Sequence, residues 1–153
     1  MKVVLESRKG GGNLVTEEFI VKLQTEFPDV EFKVASKLDE AIEASVDAEI
    51  FFGWPQREIF LNPHKLKWVH CPGAGINELS EIPELVESDI VVTNARGPHV
   101  SPMANHVVLF MLCLAHKMYP QFEDQQKQIW DSGKYRGSFT DLQGQSMGIF
   151  GFG

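Results

Sequence analysis

Cysteine is scarce: Cys71 and Cys113 are the only two in 153 residues. Both lie in apolar runs, which argues against a disulfide framework and for reduced thiols in a cytoplasmic core. There is no CxxC and no Cys/His cluster at ligand spacing, so no metal site is expected. Basic residues are also few, with 14 Lys and Arg against 21 Asp and Glu and a net charge of −7. Phosphate backbones are bound by clustered cations, so this balance argues against a nucleic-acid partner. Long apolar runs are missing too. The opening "MKVVLESRKGGG" turns polar after three apolar residues and is neither a signal peptide nor a spanning segment. The longest apolar stretch, "HVVLFMLCLAH" from His106 to His116, is too short to cross a bilayer. A cytoplasmic protein with no membrane partner is the expectation. Internal repeats and low-complexity tracts are absent, and the single run of glycines is Gly10 to Gly12.

What the chain does have is a rhythm. Short β-branched and aromatic runs alternate with helix-like segments, the pattern of βα units around a parallel sheet. Strands are predicted at Lys2 to Leu5, Val30 to Ala35, "AEIFFGW" ending at Trp54, Leu66 to Cys71, and Asp89 to Asn94. Thr16 can cap a helix with Glu17 and Glu18 in its first turn, with Phe19, Ile20, Leu23 and Phe27 on one face and Pro28 as the stop. "KLDEAIEAS" gives a short second helix, and "ELVES" a helical stretch before the fifth strand. Near-continuous apolar strands predict a sheet covered on both faces.

From Ser101 the pattern changes. "SPMANHVVLFMLCLAHKMY" reads as a long helix with Ser101 as cap, Pro102 at the first helical position and Pro120 ending or kinking it. Its apolar residues run almost all the way round, which predicts cover on most sides. A second helix over "QFEDQQKQIW" and a loop lead to a last strand, "SMGIFGFG". Gly97 and Pro98 break the pattern and place a domain boundary near Asn94 to Ser101.

Two glycine-rich turns follow strands. In "CPGAGIN", Gly73 and Gly75 allow backbone N–H groups to face an anion such as a carboxylate at the carboxyl edge of the sheet; a turn that is small for steric reasons alone is the alternative. In "GIFGFG", Gly151 and Gly153 fit the first two glycines of a pyrophosphate-binding turn, with a plain strand end as the alternative. Arg96, His99 and His106 in "NARGPHVSPMANH" are better read as hinge, surface and core residues than as a catalytic set. His64 and His70 read as loop and strand. "RKGGGN", Arg8 to Asn13, is a surface loop or a flap over the sheet edge.

Taken together, "LKWVHCPGAGINEL", "VVTNARGPHVSPMANHVVLFMLCLAHKM", "QKQIW" and "LQGQSMGIFGFG" resemble, in order and spacing, the N-terminal half of a D-isomer-specific 2-hydroxyacid dehydrogenase, the family of phosphoglycerate and glyoxylate/hydroxypyruvate reductases. The resemblance covers nearly the whole chain and is strongest from Leu66 to Gly153. It implies an α/β fold: a flavodoxin-like parallel five-stranded substrate domain at residues 1–95, then at 96–153 the linker helices and first strand of a truncated Rossmann NAD-binding domain. It implies substrate binding by the Ala74 and Gly75 amides, cofactor binding that begins at Gly151 and Gly153, and NAD or NADP in the full-length enzyme, with no tight binding to this chain. The family's Arg, Glu and His of hydride transfer lie beyond Gly153, so no catalytic residue is expected here. An oxidoreductase fragment acting in its full form on a small 2-hydroxy or 2-oxo acid, and inactive alone, is the leading reading. Homodimerisation of the full-length form, or pairing with a separate C-terminal half, goes with it. The alternative is a non-catalytic flavodoxin-like anion-binding or partner-pairing module. Two departures from the family stand out: Asn105 where Glu is usual, and Asn77 where Asp is usual.

Overall fold

The computed structural model describes residues 1–7 and 15–151. The Arg8 to Asn13 loop and Gly153 lie outside the described residues. The elements run β1 (Lys2–Glu6), α1 (Glu17–Glu26), β2 (Glu31–Ala35), α2 (Leu38–Ser45), β3 (Ile50–Phe52), α3 (Arg57–Leu61), β4 (Trp68–Cys71), α4 (Asn77–Ser80), α5 (Pro83–Val86), β5 (Val91–Asn94), α6 (Val100–Ala115) and α7 (Met118–Gln126). The chain divides into two compact units, Met1–Pro98 and His99–Gly153.

The first unit is a five-stranded sheet in the order β2-β1-β3-β4-β5, every neighbouring pair parallel. This is the flavodoxin-like order. The step from β1 to β2 moves one way across the sheet, and the later steps move the other way. Because parallel crossovers are right-handed, the reversal places α1 on one face and α2 to α5 on the opposite face.

The residue alternation within the strands fits that division. Val4, Phe51, Val69 and Cys71 are fully buried and pack with Ala41 and Ala44 of α2, Ile59 and Phe60 of α3, Leu79 of α4 and Leu85 of α5. Val3 and Leu5 face the other way and pack with Ile20 and Leu23 of α1 and with Phe32, Ile50 and Phe52. On this second face α1 is the only helix among the described residues of the unit. Trp68 is 41% exposed and Val91 59% exposed, so the expected two-sided cover is complete on one face only.

The start of α1 follows from its sequence. Thr16 has extended backbone, and its Oγ1 accepts the Phe19 N–H at 3.1 Å, satisfying one of the orphan donors at the helix start. No periodicity announces α3, a five-residue helix whose Ile59 and Phe60 plug the core and whose Arg57 pairs with Glu84 of α5 at 2.6 Å.

The second unit differs from its expectation in three ways. First, α6 begins at Val100 with His99 in the capping position and no side-chain cap, so Ser101 and Pro102 lie inside the first turn. Pro102 costs nothing there, because first-turn N–H groups have no intrahelical acceptor. The break before α7 is made by His116 as C-cap and by Lys117 in a left-handed conformation at φ 54°, while Pro120 sits in the first turn of α7. Second, no residue of α6 is buried; Met103, Leu109, Phe110 and Leu114 are each more than half exposed. Third, residues 145–151 form no strand. A strand needs a hydrogen-bonded neighbour, and none runs beside this segment among the described residues.

A polar cluster ties α7 to the loop that follows it. Lys134 Nζ donates to both carboxylate oxygens of Asp124 at 2.7 and 2.6 Å, and Tyr135 Oη donates to Asp124 Oδ2 at 2.5 Å. Asp124 is the buried charge of this unit among the described residues. Its carboxyl is held below the ordinary value of 3.8, chiefly by the Lys134 hydrogen bond and then by Tyr135, against the opposing effect of burial. A depressed folded pKa gives stability that is fully present above pH 3.8 and lost as pH falls through the folded value.

Phe51→Ala, by leaving a cavity in the covered face, lowers unfolding stability by about 3–5 kcal/mol, whereas Thr16→Ala costs about 1 kcal/mol; urea denaturation followed by circular dichroism measures both, and equal costs would refute this division of the core. The protection factors of the 133–138 amides, that is, exchange corrected for its intrinsic pH dependence, fall as pH drops through the lowered Asp124 value; Asp124→Asn lowers them at neutral pH and removes the acid-dependent step.

Candidate functional site

The carboxyl ends of parallel strands form one edge, where ligands of open α/β sheets bind, close to the point at which strand order reverses. In this sheet the reversal falls between β1 and β3. Glu6 ends β1, Gly53 and Trp54 follow β3, the turn Pro72–Ile76 follows β4, and Asn94 ends β5.

The turn after β4 is held by its carbonyls. Asn94 Nδ2 donates to the Ala74 carbonyl at 2.5 Å, and the Ala95 N–H donates to the carbonyls of Gly73 and Cys71, each at 3.1 Å. In a planar trans peptide the C=O and N–H point in opposite directions, and no cis peptide is present among the described residues. Anchoring the Gly73 and Ala74 carbonyls on β5 therefore directs the Ala74 and Gly75 N–H groups away from it. Neither N–H donates to another described residue, and both residues are exposed. A Cβ at Gly75 would meet nothing within 4 Å, so the space beside the turn is open. Two adjacent outward donors of this kind suit a carboxylate or a similar planar anion.

Gly73 is small for a different reason: a Cβ there would overlap the six-membered ring of Trp54. Trp54 is in turn fixed from β1, where Glu6 Oε2 accepts its backbone N–H at 2.6 Å. Asn94 and Glu6 carried no functional signal in the sequence. Asn94 reads as a strand end, and the Trp54 N–H that Glu6 accepts lies 48 residues away.

Three of the histidines pack against aromatic rings. His70 Nδ1 lies 2.8 Å from Thr93 Oγ1, and its ring stacks on Phe52 at 5.6 Å. His64 meets the Phe60 ring edge-on, and His106 meets Phe110 edge-on at 4.3 Å. Gly151 is exposed with φ 87°, but residues 145–151 form neither strand nor helix. A pyrophosphate cradle has a strand running into its glycine turn, and the described residues 145–151 are not in strand form. No group of three or more His, Cys, Asp or Glu that could hold a metal occurs among the described residues, and no described helix is long and apolar enough to cross a membrane.

No family model matches the chain. The D-3-phosphoglycerate dehydrogenase of Archaeoglobus fulgidus is 27% identical over 144 residues, which cover 91% of this chain and 27% of that protein. The chain thus spans little more than a quarter of the length of this curated relative. The crystal structure of the NAD-dependent formate dehydrogenase from Staphylococcus aureus in complex with NAD aligns with a TM-score of 0.66 and 19% identity over 93% of this chain and 45% of that one. A D-isomer specific 2-hydroxyacid dehydrogenase family protein from Klebsiella pneumoniae 342 aligns with a TM-score of 0.58 and 19% identity over 84% and 39%. At these identities the two structures speak for the fold. The resemblance drawn from the four sequence segments is borne out: the chain is similar to D-isomer-specific 2-hydroxyacid dehydrogenases, and its partial coverage of them is consistent with their N-terminal part.

Cys71 lies beneath this edge, fully buried, and burial followed by the nearby Glu6 carboxylate pushes its thiol up to about 11. It is therefore a protonated core thiol and not a nucleophile at neutral pH. Alkylation with iodoacetamide at pH 8, read by peptide mass, should label the half-buried Cys113 well before Cys71; the reverse order would contradict this account.

Proposed function

We propose that this chain is the substrate-binding, N-terminal part of an NAD(P)-dependent D-2-hydroxyacid dehydrogenase, and that the Ala74 and Gly75 amides hold the carboxylate of a small 2-oxo or 2-hydroxy acid. One observation carries the reading: the two outward N–H groups of an exposed turn whose carbonyls are anchored by Asn94 and Ala95. The reading also draws on the similarity to a D-3-phosphoglycerate dehydrogenase and on the fold shared with two dehydrogenases.

A nicotinamide cofactor, if held in the complete enzyme from the turn that opens at Gly151 and Gly153, would supply the hydride chemistry at C2 of the substrate. This chain's part is to orient the acid. Two adjacent N–H donors can engage both carboxylate oxygens and so restrict the plane in which C2 lies, which lowers the entropic part of the barrier. No residue here is assigned a proton or hydride transfer, and Gly151 and Gly153 are assigned only the opening of the cofactor turn. Alone, the chain is expected to turn over nothing.

Titrating the 15N-labelled chain with pyruvate tests the anion site. The Ala74 and Gly75 amide resonances should move together and saturate, and Gly75→Pro, which removes one donor, should weaken binding at least tenfold, a loss of about 1.4 kcal/mol, with the circular dichroism spectrum unchanged. Pyruvate that leaves both resonances still would refute the site. NADH oxidation by the purified chain with glyoxylate, hydroxypyruvate or pyruvate would refute the inactivity.

A further inference from the structure

We infer that Glu6 is a positioning residue for the anion-binding turn and that it acts through Trp54. The inference rests on the reading of Ala74 and Gly75 as carboxylate donors, and it joins two features of the carboxyl edge that the sequence left separate: the reversal of strand order between β1 and β3, and the glycine turn one strand further along.

The contacts form a relay. Glu6 is the last residue of β1, paired in register with Ala35 of β2. Its carboxylate reaches across to β3 and accepts the Trp54 N–H at 2.6 Å. Gly53 makes that reach possible, because a Cβ there would lie 2.5 Å from the Cβ of Glu6 and 2.7 Å from its Oε2. Gly53 also has φ +144°, a conformation that residues with a side chain rarely adopt, and its N–H donates to the His70 carbonyl of β4 at 3.0 Å. Trp54 is thereby fixed from both neighbouring strands. Its six-membered ring then lies against Gly73 so closely that no side chain fits between them.

Gly73 is the hinge of the proposed site, since its carbonyl belongs to the same peptide unit as the Ala74 N–H. The Ala95 N–H holds that unit from the β5 side through the Gly73 carbonyl, and Asn94 holds the next unit, which carries the Gly75 N–H, through the Ala74 carbonyl. The Trp54 ring holds Gly73 from the β3 side, and Glu6 holds Trp54. A charge-assisted hydrogen bond to a backbone N–H is stronger and shorter than a neutral one, so Glu6 gives this wall a fixed position. Two aligned donors act on one carboxylate only while their spacing and direction are maintained, and the relay maintains them.

The experiment uses the full chain, with pyruvate as the probe and the Ala74 and Gly75 amides as reporters. Glu6→Ala should shift both resonances in the absence of ligand and weaken pyruvate binding about tenfold, the scale of one lost charge-assisted hydrogen bond. Glu6→Gln keeps an acceptor oxygen and should stay within about threefold of the native affinity. Trp54→Phe keeps the N–H and an aromatic ring but loses the edge that meets Gly73, and it should reproduce the Glu6→Ala shifts. In the Trp54→Phe background, Glu6→Ala should then change binding by less than about twofold, because the relay is already cut.

A Glu6→Ala chain whose Ala74 and Gly75 resonances stay in place would overturn the inference. So would a tenfold effect that persists in the Trp54→Phe background, since Glu6 would then act by another route. If Glu6→Ala fails to fold, the Trp54→Phe and Glu6→Gln chains decide: the first must displace both reporters and the second must not. If pyruvate binds no form of the chain while the ligand-free shifts behave as described, the positioning relay stands and the carboxylate reading falls.

Discussion

The handedness of parallel crossovers is the constraint on which most of this structure depends. Because β1 to β2 runs against the direction of every later step, right-handed connections must put α1 alone on one face and α2 to α5 on the other. The same reversal places the ligand-binding edge between β1 and β3, where the crossovers leave in opposite directions. It also limits the apolar cover. The face packed by four helices buries Val4, Phe51, Val69 and Cys71 completely, and the face served by α1 leaves Trp68 and Val91 in contact with solvent. Site and uncovered surface thus have one topological origin.

How much of this was legible in the sequence depends on the range of the interaction responsible. The five strands were visible because each is an apolar run that one parallel sheet can bury, and the Thr16 cap was visible because its partner lies three residues away. The cap of α6 misled because Ser101 and Pro102 satisfy local rules, yet the helix starts two residues earlier, at Val100 with His99 as cap, where nothing in the side chains marks it. Helix α3 gave no signal, being held by burial of Ile59 and Phe60 and not by propensity. The strand expected over the last residues fails for the opposite reason. Its composition suits a strand, but pairing is a property of two segments and no second one runs beside it among the described residues.

The candidate site shows the same split. Gly73, Ala74 and Gly75 were legible as a turn because small residues after an apolar strand have few other uses. What the composition did not carry was direction. Whether the N–H groups of that turn face outward is decided by Asn94, twenty residues on, which binds the Ala74 carbonyl. It is decided equally by the indole of Trp54 and by Glu6, 48 residues from its partner. A glycine-rich turn therefore announces itself locally, while its donors are aimed by side chains that look unremarkable in sequence.

The two units differ in what holds them together, and this bears on how the chain behaves. The first has a buried apolar core running through the whole sheet. In the second, Asp124 is the one residue that is buried among those described, and its structure rests on the bonds from Lys134 and Tyr135 and on the Thr140 N–H donated to the Ala115 carbonyl. A few polar contacts contribute far less to stability than an apolar core of this size, since exchange with water cancels most of each hydrogen bond. The exposed apolar side chains of α6 gain nothing from such an arrangement. Resistance to unfolding therefore resides in the unit that carries Glu6, Trp54 and the Gly73–Gly75 turn, and opening of the second unit need not disturb the geometry by which the turn presents its donors.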